Sequence, residues 1–453
     1  MLLNREKHAI IGMGKTGLSI IRFLLRKGVH CVAMDEGMNG RPGALADMPN
    51  VAFQAGALRV DDLLTMDAVW VSPGVPWMHP ALCAAREAGI AVQGDLSLFL
   101  QHCDAPLIAI TGTNGKTTTT QTLATLLETL PGGCESGGNI GTPMLDLLLQ
   151  ERLPERVVLE LSSFQLERCT EVRPRWAVLL NVQPDHADMH ASPEAYRDAK
   201  LKLFAHQGEG DTAMLPQEAL WDDLAEDLAR RGVCVHRFIS TSDAEVSCAA
   251  GVAAVGLDAP YVFWHADGER RSMPCTTIPV RGIHQQINLA VAAQAASDFG
   301  VRQAVVDEAL SSFRGLPHRL RFVGEVAGHA WFDDSKATNP AAAEAALQSF
   351  ERVIWVCGGL LKGLDVTTMQ AVVRQHVAYA VVIGTHPEPF IRLLQEAGVS
   401  YTVASVMERA VLFSAEHAEA LPVLLSPAAA SMDQFKNYAE RGKAFQHAIQ
   451  SLR

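Results

Sequence analysis

The chain has 453 residues, 48% hydrophobic and 19% charged, with a formal net charge of −12. That length suggests about three domains, and the composition supports large buried cores while arguing against wholesale disorder. The acidic balance disfavours a nucleic-acid or membrane surface, no apolar run is long enough to span a bilayer, and the nine cysteines form no CxxC pair, which fits a reducing cytoplasm better than a zinc ribbon or a disulfide framework.

The opening "HAIIGMG" reads as a buried strand entering a tight glycine turn. "KTGLSIIRFLLRKG" follows as a helix ended by Gly28, and "VHCVAMDE" as a second strand carrying Asp35. No apolar leader segment precedes this unit, so a cytoplasmic location is expected. Gly12, Gly14 and Gly17 match GxGxxG, a spacing that lets backbone N–H groups approach an anion at a helix N-terminus. Asp35 stands where a ribose-binding acid would sit. The motif alone does not choose among NAD, FAD and a UDP-sugar, and tight strand–helix packing without a ligand remains an alternative. "DAVWVSPGV" and "GIAVQGD" add two short strands, and a boundary falls near Gly94.

The pattern then restarts as helix, strand, loop and helix around "IAITGTNGKTTTT". This is most of a Walker A loop, but Ile110 stands where the first glycine belongs. Gly112 and Gly115 free the backbone to curl around phosphates, Lys116 can neutralise their charge, and Thr117 can offer its hydroxyl to Mg²⁺. "RVVLELSS" ends a strand at Glu160, a carboxylate costly to bury unless paired or metal-bound. After the next strand, "NVQPDHADMH" gathers Asp185, His186, Asp188 and His190. The two histidines are spaced as zinc ligands on a helix, yet there is no HExxH and Pro184 implies a loop. A hard Mg²⁺ ion prefers oxygens with at most one histidine, so Glu160 and His186 read as a Mg²⁺–phosphate pair. Structural zinc and plain loop polarity are the alternatives. In "AYRDAKLKLF", spacing alone makes Lys200 and Lys202 solvated residues of an amphipathic helix.

From Leu203 to Arg281 the pattern is mixed and partly antiparallel, and "INLAVAAQAASDFG" is a helix closing at Gly300. A third α/β block follows, with strands in "HAWFDDSKATNP", "RVIWVCGGL", "YAVVIGT" and "ALPVLLSPAAASMD". Arg319, Asp334, Lys336 and Thr338 flank the first of these strands. "LLSPAAASMDQFKNYAERG" reads as a strand ending at Ser426 and a helix starting near Ser431, where a carboxylate could bind or Ser431 could simply cap.

Taken in order, "TGTNGKT", "GGNIGTP", "ELSSFQLE", "NVQPDHADMH", "YRDAK", "GLPHR", "DDSKATN" and "LLSPAAASMDQFKNYAERG" resemble the Mur ligases, ATP-dependent amino-acid ligases of peptidoglycan synthesis. They look most like the branch that adds D-glutamate, and the shortened phosphate loop is that family's own. The resemblance covers essentially the whole chain. It implies three α/β domains: a Rossmann-like unit over 1–94 for a UDP-sugar, a central ATPase-like unit with a mainly parallel sheet over 95–300, and a Rossmann-like unit over 301–453 for the amino acid. It implies a cytoplasmic monomer acting on ATP, UDP-N-acetylmuramoyl-L-alanine and glutamate, with two Mg²⁺ ions. Gly14, Lys15, Thr16, Asp35, Ser72, Pro73, Gly74, Asn139, Ser162, Gln165 and His186 would then serve the UDP-sugar. Gly112, Thr113, Asn114, Gly115, Lys116, Thr117, Thr118, Asn288, Arg319, Asp334 and Lys336 would serve ATP. Thr338, Lys362, Ser431, Met432 and Tyr438 would hold glutamate. Thr117, Glu160, His186 and a carbamylated Lys200 would serve the metal, with Lys116, Glu160, His186 and Lys200 as the catalytic set.

The chain departs from the family pattern at Gln285, where Asn is usual after His284, at Tyr438, where Phe is expected, and at Gly37, where a polar uracil contact is expected. The loop "GGLLKGLD" lacks the acidic residue of some members but keeps Lys362. An L-glutamate-adding variant, a folylpolyglutamate-type ligase, a nicotinamide-dependent oxidoreductase using "GMGKTG" and a non-catalytic nucleotide sensor are the competing readings.

Overall fold

The computed structural model describes residues 6–151, 155–185, 189–241, 252–256 and 261–452. They form three α/β units in sequence. The first sheet comprises β1 (Lys7–Ile11), β2 (His30–Asp35), β3 (Ala52–Ala55), β4 (Ala68–Val71) and β5 (Ala91–Gln93), ordered β3-β2-β1-β4-β5. Its pairings are parallel, and the order reverses between β1 and β4, which opens a crevice at their carboxyl ends. The glycine turn and the "SPG" segment sit at that crevice.

The second sheet has nine strands: β6 (Leu107–Thr111), β7 (Glu135–Gly138), β8 (Val157–Glu160), β9 (Trp176–Leu179), β10 (Thr212–Pro216), β11 (Cys234–Thr241), β12 (Val252–Gly256), β13 (Tyr261–Ala266) and β14 (Glu269–Pro274). The order is β14-β13-β12-β11-β10-β9-β6-β8-β7. Strands β7 to β12 pair in parallel, and only the last pairings, β12 with β13 and β13 with β14, are antiparallel. The mixed pattern expected after Leu203 is this change of direction. β6, β8 and β9 are buried at every position, as interior parallel strands covered on both faces must be. The helices Lys116–Glu128 and Ile283–Asp298 lie against one another and share the apolar core on one face.

The third sheet comprises β15 (Arg321–Val326), β16 (His329–Asp333), β17 (Val353–Cys357), β18 (Val377–Ile383), β19 (Tyr401–Ser405) and β20 (Val423–Leu425), ordered β15-β16-β20-β17-β18-β19. Two apolar clusters, around Trp355 and around Trp331, cover its faces.

One expectation fails here. No helix starts near Ser431; the helix runs Tyr438–Gln450 and is capped by Asn437, whose side chain accepts the Glu440 N–H at 3.0 Å. Ser431 instead stands in a turn, its carbonyl accepting the N–H groups of Gln434 and Phe435. Asn is among the strongest N-cap residues, so the chain delays the helix until Asn437 can do this work.

Candidate active site

The carboxyl ends of the central strands and the loops of the third unit enclose a cleft of about 710 Å³. Thr113, Asn114, Gly115, Lys116, Thr117 and Thr118 form one wall. Gly115 takes a left-handed conformation (φ 87°) immediately before the helix Lys116–Glu128, which has no side-chain cap, so its first N–H groups remain available to an anion. A Cβ at Gly115 would strike Asn288 Oδ1, and one at Gly112 would meet Leu180, so both glycines are fixed by close neighbours. The Lys116 ammonium donates to the carbonyls of Gly112 and Thr113, each at 2.8 Å. Burial, opposed by Glu160 and Asp185, holds its proton affinity below the usual lysine range.

Lys200 overturns the reading that spacing gave it. It is 1% exposed, and its Nζ donates to the same Gly112 carbonyl at 2.8 Å. The helix Pro193–Leu201 turns it inward over the Tyr196 ring, 4.4 Å away, while Lys202 is exposed as expected. Burial and the nearby Lys116 charge push Lys200 well below the ordinary lysine value.

Glu160 is 2% exposed at the end of β8. Its Oε1 accepts from Asn139 Nδ2 at 2.9 Å, and its Oε2 is buried with no hydrogen-bond partner among the described residues. A buried orphan carboxylate oxygen facing an anion-binding cleft, with Thr117 across it, fits a hard divalent cation. His186 and Asp188 lie outside the described residues. Among the described residues no group of three or more His, Cys, Asp or Glu is arranged so that it could hold a metal ion by itself. His190 does not turn to the cleft; it meets Ser163 Oγ at 2.9 Å and stacks on Phe164.

The third unit completes the cleft with Arg319, Asp334, Lys336, Thr338 and Lys362. Arg319 donates to Thr117 Oγ1, reaching across the two units. Asn339, the cap of the helix Pro340–Leu347, donates to Asp185 Oδ2 at 3.1 Å and to Asn114 Oδ1 at 3.4 Å. Asp334 accepts from Ser426 Oγ and from the Leu320 N–H, and burial raises its pKa to about 7. Burial lowers Lys336 to about 8. Lys362 holds a left-handed backbone (φ 52°), a conformation uncommon for side-chain-bearing residues. Ser431, Met432 and Tyr438 stand outside the lining of this cleft, Met432 exposed and the Tyr438 ring 4.2 Å from Lys336 Nζ.

The predicted UDP-sugar residues divide between two places. Asn139 and Ser162 line the cleft. Gly14, Lys15, Thr16, Asp35, Ser72, Pro73 and Gly74 gather at the β1/β4 crevice of the first unit, with Lys15 and Thr16 opening the helix Lys15–Arg26. That helix also lacks a side-chain cap. Asp35 has both oxygens engaged, by the N–H groups of Met13 at 2.8 Å and Gly37 at 2.9 Å, so it shapes the glycine turn. Gln165 is in neither place; it closes a capping box with Ser162 and donates to Asp95 Oδ2 at 3.0 Å. Asn181, Gln183 and Asn339 escaped the sequence reading. Asn181 Oδ1 accepts the N–H groups of Thr113 and Asn114, holding the phosphate loop in shape. The signal for it was an amide at the carboxyl end of a buried strand, within a segment whose charged residues drew the eye.

A phosphate loop on a parallel sheet, faced by a second α/β unit that delivers arginine and lysine, defines an enzyme that works on ATP. Three family models match the chain: the Mur ligase MurD-like N-terminal domain over residues 6–94, the Mur ligase middle domain over 110–296, and the Mur ligase glutamate ligase domain over 318–433. Two curated relatives span it from end to end. The UDP-N-acetylmuramoylalanine--D-glutamate ligase of Trichlorobacter lovleyi is 36% identical over 460 residues, all of both chains. That of Geobacter metallireducens is 35% identical, covering 100% of this chain and 99% of its own. The MurF ligase of Thermotoga maritima in complex with ADP, 18% identical, shares the fold with a TM-score of 0.59 over 100% of this chain and 98% of its own. The chain belongs to the Mur ligase family, whose members are ATP-dependent ligases.

Proposed function

We propose that this chain joins D-glutamate to UDP-N-acetylmuramoyl-L-alanine at the expense of ATP, releasing ADP and phosphate in peptidoglycan precursor synthesis. The observation that carries this reading is the end-to-end similarity to D-glutamate ligases, supported by a cleft whose two walls bring Lys116, Arg319 and Lys336 together. A carboxylate is a poor acyl donor because oxide is a poor leaving group. Its attack on the γ-phosphate of ATP gives an acyl phosphate and ADP. The amine of glutamate then attacks the acyl carbon, loses a proton, and phosphate departs as the amide forms.

Charge accumulates on the transferring phosphoryl oxygens, and catalysis is mainly positioning and electrostatic stabilisation. Lys116 and the uncapped helix behind it meet the β- and γ-phosphates. Arg319 and Lys336 neutralise charge from the third unit, Asn288 and Asp334 serve the nucleoside, and Thr338, Lys362, Ser431, Met432 and Tyr438 serve glutamate. The first unit holds the UDP end. Thr117 and Glu160, with His186, would hold Mg²⁺, which when bound offsets the phosphate charge. The buried, proton-poor amine of Lys200 supports its conversion to a carbamate, because only a neutral amine adds to CO₂. The unit boundaries are read as 1–94, 95–300 and 301–453. We read the enzyme as a cytoplasmic monomer; the eight described cysteines, all free thiols, support a reducing compartment.

The test is phosphate release from Mg-ATP with UDP-N-acetylmuramoyl-L-alanine, adding D- or L-glutamate. Release that depends on D-glutamate is the expected result. Release with L-glutamate alone overturns the amino-acid assignment, and silence with both overturns the reaction.

A further inference from the structure

Arg168 is 2% exposed and has no part in the chemistry above. It follows the helix Ser163–Glu167 of the central unit, yet its guanidinium enters the first unit. There Nη1 donates to the Ser72 carbonyl, and Nη2 donates to the carbonyls of Pro73 at 3.1 Å and Val75 at 2.6 Å. These carbonyls belong to the turn that leaves β4 at the order reversal of the first sheet. Ser72 Oγ in turn donates to the Gly12 carbonyl at 2.8 Å, so the turn is tied to the glycine loop. Arg168 is also fixed from behind. Its own carbonyl accepts from the Gly94 N–H and Ser97 Oγ at the junction of the two units, and a Cβ at Gly94 would strike the Arg168 Cβ.

The other end of the same helix faces the large cleft through Ser162, Ser163 and Phe164, two residues beyond Glu160. The helix is only 5 residues long, so about 7.5 Å of rigid backbone separates the two ends. Its N-terminus is locked by the Ser162–Gln165 capping box, and Gln165 reaches Asp95 just past the junction. A substrate that spans both crevices needs a fixed distance between them. A planar guanidinium that satisfies several carbonyls of one turn sets that turn more rigidly than apolar packing would.

We propose that Arg168 is a positioning residue that sets the anion-binding turn of the first unit against the catalytic end of the central sheet, and so fixes the span over which a nucleoside diphosphate-linked substrate is held. The inference rests on the reading of the first unit as the UDP site. It acts through the 72–75 turn and touches no substrate itself.

The experiment titrates UDP into wild-type protein, Arg168→Ala, Arg168→Lys and Arg22→Ala, alongside KM for the UDP-sugar and for ATP. Arg22 pairs with Asp146 at 2.6 Å across the same two units and has no hydrogen bond to the turn among the described residues, so its variant controls for general loosening of the junction. Expected is a fall in UDP affinity of roughly two- to thirtyfold for Arg168→Ala, the range for couplings carried through packed networks. A matching rise should appear in KM for the UDP-sugar, with KM for ATP unchanged. Arg168→Lys keeps the buried charge beside Asp95, guards against misfolding of the alanine variant, and should lose less, because one ammonium cannot satisfy the whole turn. Arg22→Ala should bind UDP like wild type. Equal UDP affinity in folded Arg168 variants, or equal losses for UDP-sugar and ATP, overturns the proposal while the functional reading stands. Wild-type protein that binds no UDP overturns the functional reading first, and this one with it.

Discussion

Lys116 reaches back to two carbonyls of its own loop, and Lys200 shares one of them. In the proposed reaction the Lys116 ammonium stands where a transferring phosphoryl group develops charge. Lys116→Ala should lower turnover on the order of 10²–10³-fold at saturating ATP, the cost of one preorganised donor, measured as phosphate release. Asp334 gives a prediction at the same scale. Burial raises its folded pKa from about 4 to about 7. The folded protein therefore holds a proton that the unfolded chain releases across that window. The stability this proton supplies is complete below pH 4 and lost as pH rises through 7, by up to about 1.4 kcal/mol per pH unit. Denaturant unfolding of wild type and Asp334→Asn between pH 4.5 and 8 should show this slope only in the wild type. Parallel curves would contradict it.

The elements that the sequence announced plainly were those with a physical signature of their own. Buried parallel strands read as unbroken apolar runs, and the two glycine turns stand between strand and helix as their chemistry requires. Two things were not legible. Lys200 lies on a helix whose charged residues look alike by spacing, and only the packing of Tyr196 and Gly112 decides which lysine turns in. The late start of the last helix turned on which of several polar residues captures the first free N–H groups, and Asn437 prevailed over Ser431. Asn437→Ala should therefore cost about 1 kcal/mol in denaturant unfolding, as lost N-caps do. An unchanged midpoint would put the cap elsewhere. Arg168, Asn181 and Asn339 were illegible for a simpler reason: their partners are distant in sequence, and no local period encodes them.

Across the whole molecule, the first and central units share one apolar cluster, which runs from Ile10 and Trp70 through Leu96 to Leu159 and Val233. The third unit has clusters of its own and meets the others mainly through polar contacts such as Arg319 with Thr117 and Asn339 with Asp185. Cooperativity follows shared apolar cores more than polar seams. Calorimetry of the ligand-free chain should thus resolve two transitions, one for residues up to about 313, whose helix Gln303–Ser312 packs into the central core, and one for the remainder. A non-hydrolysable ATP analogue, held by both walls of the cleft, should draw them together by stabilising the joined state. A single transition without nucleotide would show that the seam is stronger than its chemistry suggests.

The crowding of Lys116, Lys336 and Arg319 has a consequence in the surrounding buffer. Burial, with Arg319 and Lys116 beside it, leaves Lys336 with a pKa of about 8, partly discharged in mildly alkaline solution. A polyphosphate entering between these groups restores its affinity for protons. Nucleotide capture at pH 8 should then draw hydrogen ions out of solution, and the heat of binding should differ between phosphate and Tris by the buffers' own ionisation heats. The ligase would begin its cycle as a weak base.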